Sequence, residues 1–340
     1  MKIRIASRKS ELALRQTRWV AARIWEHRPD AQIEEVHVVT KGDKVLDRPL
    51  AAIGGKGLFV SEVEATLIQG EADLAVHSLK DVPGDVDLAE GYDIVCVPAR
   101  EDPRDVLLTR DGLELDALEA GARVGTTSLR RMAQLKARRP DLDFVNLRGN
   151  VGTRLRKLDE GQYDAIVLAA AGLQRLGLLE GRPHRMLDLE TCLPAVGQGT
   201  LALEARKDDA SLAEVLAPLE DHGTRLRTEA ERALLRILSG SCRVPIGGHA
   251  RLFDDGTRLS LAAVVASIDG EERLDASSDV YLPASSEEAI AAAAKLGRDV
   301  GASLLAEGAR ELMVRTEALA IEREQRTNGG GASAPFQWKS

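Results

Sequence analysis

Two successive runs of alternating strands and helices constrain this chain more strongly than any other feature of its sequence. In the first run, Lys2–Ala6 alternates as a strand, Ser10 is placed to cap the next helix, and further strands are expected at 33–39, in ADLAVH and at 94–98. After EDPRD the alternation restarts with ARVGTT and continues to YDAIVLAAAGL. Such alternation is typical of α/β sheets covered by helices.

A third region has a different pattern. An amphipathic helix is expected at 222–238, followed by the alternating run RLSLAAVVAS and an alanine-rich helix at 287–307. Between the second and third regions, PAVGQGTLALEAR is interpreted as a crossover back into the first unit. The expected fold is therefore α/β, with two periplasmic-binding-protein-like α/β domains joined by a hinge and a small C-terminal α+β domain.

These patterns also predict the domain boundaries. We expect domain 1 at 1–99 and 197–217, domain 2 at 102–193, and domain 3 at 219–316, with hinges near 99–102 and 193–199. The tail at 321–340 lacks periodicity and is expected to be disordered.

Composition favours a cytoplasmic protein. No stretch approaches the about 18 consecutive apolar residues of a membrane-spanning helix, and the first residues lack the continuous apolar run of a secretory signal. The three cysteines, Cys96, Cys192 and Cys242, do not form a Cys-x-x-Cys pair, and the histidines are scattered, so neither a disulfide framework nor a metal site is expected.

The charge is distributed unevenly along the chain. The formal net charge is −8, yet the segment from Arg123 to Lys157 contains ten basic residues and only two acidic ones. A basic segment within an acidic protein indicates a small or medium-sized anionic ligand, although for any single arginine a solvated helix face is the favoured interpretation. A nucleic-acid partner is opposed by the overall acidity and by an aromatic content of 3%.

Several motifs bring together residues suited to binding anions. HSLKDVP follows a predicted strand, so Asp81 is either a surface partner of Lys80 or a cleft carboxylate able to move a proton and stabilise a cation. GTTSLRR and LRGNVGTRL each place hydroxyl or amide groups at a helix start beside arginines, an arrangement that suits carboxylates or phosphates.

Cys242 lies in the glycine-rich bend LSGSCRVPIGGHA and has three possible roles. A small buried filler is the commonest use of a free cysteine, but the bend argues against it. A nucleophile needs an activating base, and only Arg243 is close in sequence. A covalent attachment point needs only an exposed thiol and room around the backbone.

Taken together, these motifs resemble the hydroxymethylbilane synthase (porphobilinogen deaminase) family over nearly the whole chain to about residue 316. The resemblance is carried, in order, by ASRKSELAL, VTKGD, GGKGLFV, HSLKDVP, REDPRDV, GTTSLRR, LRGNVGTRL, LPAVGQG and GSCRVPIGG. It implies stepwise head-to-tail condensation of four porphobilinogen molecules on a dipyrromethane primer, with release of ammonia at each step and then of linear hydroxymethylbilane. The primer would be linked to Cys242 through a thioether.

The resemblance also implies roles for individual residues. Asp81 would be catalytic, holding pyrrole N–H groups and stabilising the cation left when ammonia departs. Cofactor-binding roles beside Cys242 would fall to Lys80, Ser78, Arg130, Arg131, Thr126, Thr127, Ser128, Arg148 and Arg154. Substrate-binding roles would fall to Arg8, Ser10, Gln16, Arg175, Lys56 and Phe59, the last two on a lid at 41–60.

Two positions depart from the family pattern. Ser241 replaces a second glycine before the cysteine, and Ala52 replaces a lysine found in the lid of some relatives.

The resemblance also implies the partners of the protein. The partner would be porphobilinogen, with no nucleic acid and no membrane, and the protein would be a monomer. The main rival interpretation is a hinge-closing anion carrier or sensor, which would need neither Asp81 nor Cys242.

Overall fold

The computed structural model describes residues 1–40, 60–84, 88–238 and 244–328, with side chains described as far as Glu322. Within these ranges the chain forms two five-stranded mixed sheets and one three-stranded antiparallel sheet. Helices pack against all three sheets. The mixed α/β class with a small third part, expected from the sequence, is confirmed.

The first sheet contains strands from two distant parts of the chain. These are β1 (Lys2–Arg8), β2 (Gln32–Val38), β3 (Leu74–Ser78), β4 (Tyr92–Cys96) and β10 (Leu201–Arg206), in the spatial order β2-β1-β3-β10-β4. Strand β1 runs parallel to β2 and β3, whereas β10 is antiparallel to both of its neighbours. The predicted crossover back into the first unit is therefore confirmed by β10.

The second sheet repeats this arrangement. Its strands are β5 (Asp105–Thr109), β6 (Arg123–Gly125), β7 (Asp143–Val145), β8 (Ala165–Ala169) and β9 (Arg185–Met186), in the order β7-β6-β8-β5-β9. The pairs containing β6 are parallel and those containing β5 are antiparallel. The sequence did not predict β5, because DVLLT is buried at every position and shows no alternation.

Six α-helices are described in these two units, and four of them begin at a polar side-chain cap. The six are α1 (Glu11–His27), α2 (Ser61–Ile68), α3 (Leu129–Arg138), α4 (Val151–Asp159), α5 (Ala170–Arg175) and α6 (Ala210–Leu216). As predicted, the Ser10 hydroxyl caps α1 by accepting from the backbone N–H of Ala13 at 3.3 Å. Ser128 caps α3 and Asn150 caps α4 in the same way. Because each cap directly follows a strand or its turn, these helix starts lie at the carboxyl edges of the sheets.

The third sheet carries two long helices on one face. It comprises β11 (Ile246–Phe253), β12 (Arg258–Ala266) and β13 (Arg273–Tyr281), while α7 (His222–Leu238) and α8 (Ser286–Ala306) pack against it and against each other. The predicted helices at 222–238 and 287–307 are confirmed. Leu234, Val265 and Leu296 belong to the shared apolar core of this part.

The contact between α7 and α8 is close because glycine faces α7 at two positions one turn apart, Gly297 and Gly301. A Cβ atom added to Gly297 would collide with the backbone carbonyl oxygen of Ala230, which cannot rotate away. Helix α7 ends at Leu238, four residues before Cys242 in the sequence.

Replacing Gly297 with alanine is therefore expected to lower the free energy of unfolding by about 1–3 kcal/mol, because the two helices must separate. Chemical denaturation measures this change. Gly152→Ala in α4 is the matched control, since the nearest atom to its added Cβ is the Asn150 Oδ1 at 3.8 Å. The control is expected to be neutral or to stabilise by up to about 1 kcal/mol. Increased stability in Gly297→Ala would contradict the packing argument.

The last helix, α9 (Ala309–Asn328), extends into the segment that was expected to be disordered. The prediction is wrong for 321–328, because IEREQRTN contains no glycine or proline and consists largely of good helix formers. Leu312 packs with the core of the third sheet, and Ala320 packs with the core of the second. The remainder of the predicted tail, 329–340, lies outside the described residues.

Candidate active site

Four of the predicted site residues, with catalytic, substrate-binding or cofactor-binding roles, meet in one pocket at the carboxyl end of β3. They are Arg8, Gln16, Ser78 and Asp81, and the pocket is also lined by Ala13, Val60, Val63, Val76 and His77. Asp81 ends a single 3₁₀ turn, Leu79–Asp81, that follows β3 directly. Polar residues at the carboxyl end of a strand in an open α/β sheet lie where such sheets bind ligands.

Hydrogen bonds fix one wall of this pocket. The Gln16 Nε2 donates to the Ser78 Oγ over 3.1 Å and joins α1 to β3. Gln16 is buried, whereas Asp81 is exposed and has no hydrogen-bond or ion-pair partner among the residues that the structure describes. The Asp81 carboxylate therefore keeps its accepting capacity for a ligand.

Lys80 lies between the two sheets and approaches the chain segment that precedes β10. Its Nζ donates to the Gln198 Oε1 at 3.4 Å. Desolvation and the nearby guanidinium groups of Arg130 and Arg131 lower the pKa of Lys80 to about 8, although Asp81 opposes the shift. The side chain retains solvent access, so this ammonium is a partly dehydrated cation that is open to the cleft.

On the second unit, two of the predicted cofactor-binding arginines are buried around one carboxylate. Asp105 contacts the Arg130 Nη2 and the Arg131 Nη2, each at 2.8 Å. Burial alone would raise the pKa of Asp105, but the two guanidinium groups outweigh it and hold that pKa well below its usual range. Two cations against one anion leave an excess positive charge, and the Arg130 Nε has no hydrogen-bond partner among the described atoms.

The predicted hydroxyl cluster forms the start of α3. The Thr126 Oγ1 accepts from the backbone N–H of Ser128 at 3.2 Å, and the Ser128 Oγ accepts from that of Arg131. Because both hydroxyls act as acceptors here, each still has an O–H to donate. Thr127, between them, is partly exposed.

Two further predicted arginines, Arg154 and Arg175, are partly buried. The Arg154 Nε donates to the Gly149 carbonyl oxygen at 2.7 Å, and the Arg175 Nη2 donates to that of Gly199 at 2.7 Å. Burial lowers the pKa of each to about 10, and for Arg154 the charges of Arg131 and Arg148 add to the effect. A cluster of like charges that depresses its own pKa values is stabilised by a bound anion.

The predicted residues Cys242, Lys56 and Phe59, and the two departures Ser241 and Ala52, lie outside the described residues. The described chain does locate what precedes Cys242 in sequence. Helix α7 packs on the turn after Asp81 so closely that a Cβ added to Gly84 would lie 2.5 Å from the Leu235 Cδ2. The helix leading to Cys242 is therefore a neighbour of the Asp81 turn.

The other two cysteines are buried. Desolvation raises the pKa of the Cys96 thiol and raises that of Cys192 to about 12. Both are therefore protonated at neutral pH and unreactive. Across the described ranges, no group of three or more acidic, histidine or cysteine side chains is placed to hold a metal, and none of the helices there could cross a membrane.

The sequence reasoning missed three buried polar residues that organise this region: Asp105, Gln198 and Glu231. Asp105 and Gln198 were inside quoted motifs, REDPRDV and LPAVGQG, but received no role. Their partners are distant in sequence, so the pairings themselves are seen only in the folded chain. For Asp105, the signal available was an isolated acidic residue at the start of an apolar strand, which requires a buried cation.

Comparisons with known proteins bear on the same chain segments. A family model described as porphobilinogen deaminase, dipyromethane cofactor binding domain, matches residues 3–214. A second, described as porphobilinogen deaminase, C-terminal domain, matches residues 225–306.

Two curated relatives are similar over most of their length. Porphobilinogen deaminase from Syntrophobacter fumaroxidans is 53% identical over 311 residues, which cover 92% of this chain and 96% of the relative. The protein of the same name from Syntrophotalea carbinolica is 47% identical over 311 residues, covering 92% and 95%. Among solved structures, the amino-acid transporter binding protein ytmK from Bacillus subtilis is 9% identical, with a TM-score of 0.40, over 64% of this chain and 90% of that one.

Proposed function

The chain belongs to the porphobilinogen deaminase family, and from that premise we propose which of its residues perform the family's reaction. The enzyme is a hydroxymethylbilane synthase, a transferase that condenses porphobilinogen on a dipyrromethane cofactor. The observation that carries our assignment of roles is the pocket that collects Arg8, Gln16, Ser78 and Asp81 at the end of β3.

The described side chains fit an oligopyrrole that carries two carboxylates on each ring. Arg154 and Arg175 are partly buried guanidinium groups, and each donates a hydrogen bond to a neutral backbone carbonyl oxygen. The buried Arg130 Nε lacks a partner among the described atoms. When bound, the dipyrromethane supplies the pyrrole chain to which each substrate is added. We assign its carboxylates to the second unit's cations: Arg130, Arg131, Arg148 and Arg154, with Lys80 opposite.

Asp81 is the proposed catalytic residue. Its carboxylate can accept hydrogen bonds from pyrrole N–H groups and stabilise the positive charge that develops on the substrate as the bond to the departing ammonia breaks. It is also our candidate acceptor for the proton released when the new C–C bond forms. Ser78 and Gln16, joined to each other, would orient the substrate beside it.

The remaining roles follow the positions of the side chains. Arg8 would bind a substrate carboxylate in the pocket of Asp81. Arg175, on the second unit, would bind a second carboxylate of the substrate. The hydroxyls of Thr126, Thr127 and Ser128 would donate neutral hydrogen bonds at the start of α3, and Ser10 would act mainly through its cap of α1. Lys56 and Phe59 are retained as lid contacts from the sequence alone.

Cys242 is the proposed attachment point of the cofactor. Both other cysteines are buried with raised pKa values, which leaves Cys242 as the candidate thiol. We further propose the domain division 1–99 with 197–217, 102–193 and 219–316, and a cytoplasmic monomer that binds neither nucleic acid nor membrane. The contact of α7 with the Asp81 turn supports a third domain that presents Cys242 to the cleft.

Intact mass spectrometry tests the attachment. The denatured active protein is expected to exceed the mass of the polypeptide by one dipyrromethane, and peptide mapping is expected to place that mass on Cys242. Cys242→Ser should remove the adduct and the activity, whereas Cys96→Ser should retain both. A bare polypeptide in fully active enzyme would contradict the proposal and would favour the rival anion carrier, which requires no adduct.

A further inference from the structure

A buried glutamine, Gln198, lies in the segment that precedes β10. It contacts both walls of the cleft, which are the first unit at Lys80 and the second unit at Asp105. It is 1% exposed and sits between Gly197 and Gly199, whose φ angles of 71° and 89° are in the left-handed region. Its backbone carbonyl oxygen accepts from the Arg100 Nε at 2.8 Å, so the main chain is held as well. A residue fixed in this way can hold its side chain in one orientation.

The surroundings determine which way the Gln198 amide points. Its nitrogen, Nε2, lies 2.6 Å from the Pro103 carbonyl oxygen and 2.9 Å from the Asp105 Oδ1. Both of these atoms are acceptors, and the Asp105 carboxyl is ionised because its pKa is lowered. Only the NH₂ group can satisfy them, so Oε1 must face the other side. On that side it accepts from the Lys80 Nζ at 3.4 Å.

The amide therefore completes a chain of contacts that crosses from one sheet to the other: Lys80, Gln198, Asp105 and Arg131. Lysine has a flexible four-carbon stem and a single point charge, so its ammonium needs an external contact to stay in one place. Asp81 and Asp105 attract this ammonium, while Arg130 and Arg131 repel it. Gln198 offers a neutral acceptor, which holds the ammonium without neutralising it.

We propose that Gln198 is a positioning residue for the condensation reaction, whose amide holds the Lys80 ammonium in register with the Asp105–arginine cluster across the cleft. Gln198 itself need not touch the substrate. This inference rests on the proposed role of Lys80 in binding carboxylates. If Gln198 acts in this way, the Lys80 ammonium and the arginines around Asp105 lie at a fixed separation. One oligopyrrole can then contact both groups of cations.

Amine-specific acylation of the purified holoenzyme, quantified for Lys80 by peptide mass spectrometry between pH 6 and 9, tests the contact directly. In Gln198→Met the ammonium loses an acceptor, so its pKa should fall further and acylation of Lys80 at pH 7 should rise about three- to fivefold. In Gln198→Asn the shorter side chain withdraws the amide oxygen from the Lys80 ammonium, so the acylation of Lys80 should rise in the same direction. Lys295, paired with Asp299 on the surface, is the internal reference.

A second buried glutamine gives the matched control. Gln134 is 2% exposed, and its amide bonds backbone groups of Arg130 and Leu193. Gln134→Met should leave the acylation of Lys80 unchanged, while Gln198→Met should also raise KM for porphobilinogen more than it lowers kcat. Equal effects in the two methionine variants would overturn the proposal, because they would indicate a general loosening of the interior.

Unchanged acylation of Lys80 in folded Gln198→Met would also overturn the proposal. If that variant does not fold, an unchanged rate in Gln198→Asn would do so. The proposed function fails in a different way. Normal kcat/KM in Lys80→Ala would remove the role assigned to Lys80 in binding, yet the acylation shifts in the Gln198 variants would still be observed.

Discussion

Asp81→Ala is expected to lower the turnover of porphobilinogen by a factor of about 10²–10³ or more while leaving the protein folded. The carboxylate lies in the pocket formed with Arg8, Gln16 and Ser78. Because Asp81 is the assigned stabiliser of the charge that develops as ammonia leaves, alanine removes an interaction made most strongly in the transition state. The loss should therefore appear in kcat and in kcat/KM together.

The fold should tolerate this change because the side chain is exposed and unpartnered among the described residues. We expect the free energy of unfolding to change by less than about 0.5 kcal/mol. Asp81→Asn should lose nearly as much turnover, since it keeps the shape without the charge, whereas Asp81→Glu should retain a measurable fraction. Thermal unfolding and steady-state kinetics on the same preparations separate the two effects.

Asp30→Ala is the matched control. Asp30 is also an exposed aspartate of the first unit, but its partners are Arg28 and the amino terminus, at the opposite end of β1 from Arg8. This variant is expected to turn over at the normal rate. A folded Asp81→Ala enzyme with more than a tenth of normal turnover would be inconsistent with the catalytic role.

The elements that the sequence predicted are those specified locally. Ser10 and Ser128 each precede an apolar period of 3.6 and cap the helix that follows. The strand β3 is followed by polar residues at its carboxyl end, which was enough to place Ser78 and Asp81 at the edge of a sheet. The buried strand β5 could not be found this way, because its pairing with β8 and β9 is set by tertiary packing.

The site was less predictable than the fold, because sequence does not show how charges are shared. Arg130, Arg131 and Arg154 looked equivalent as cleft cations in the motifs. In the folded chain the first two surround Asp105, whereas Arg154 donates to the backbone carbonyl oxygen of Gly149. Asp105 is 26 residues from Arg131 in the sequence, and Gln198 is 118 residues from Lys80, so no local pattern links them.

Glu231→Gln is expected to lower the free energy of unfolding by about 3–5 kcal/mol. Glu231 is fully buried on α7 and forms a two-point ion pair with Arg100, with Nη1 to Oε1 at 2.7 Å and Nη2 to Oε2 at 3.2 Å. It also accepts from the backbone N–H groups of Gly197 and Ala250. One carboxylate on α7 therefore binds both chain segments that join the first sheet to the second, at Arg100 and at Gly197. Glutamine would leave the Arg100 charge buried without its anion.

Stability should also depend on pH through this group. Burial disfavours the carboxylate, but Arg100 and His249 outweigh that cost and lower the pKa of Glu231 to about 2. A group whose pKa is lower in the folded than in the unfolded state contributes stability above its unfolded pKa. That contribution is lost as the pH falls from about 4.5 towards 2. The wild-type protein should lose stability over this range more steeply than Glu231→Gln does.

Asp299→Asn is the control for an ordinary ion pair. Asp299 contacts the Lys295 Nζ at 2.6 Å on the exposed face of α8, where both side chains are more than half accessible, so its removal should cost less than about 1 kcal/mol. Combining Glu231→Gln with Arg100→Met removes both charges and should recover part of the lost stability. If Glu231→Gln costs no more than Asp299→Asn in urea denaturation, the three sheets are joined by apolar packing alone, and the buried pair does not hold the hinge segments to α7.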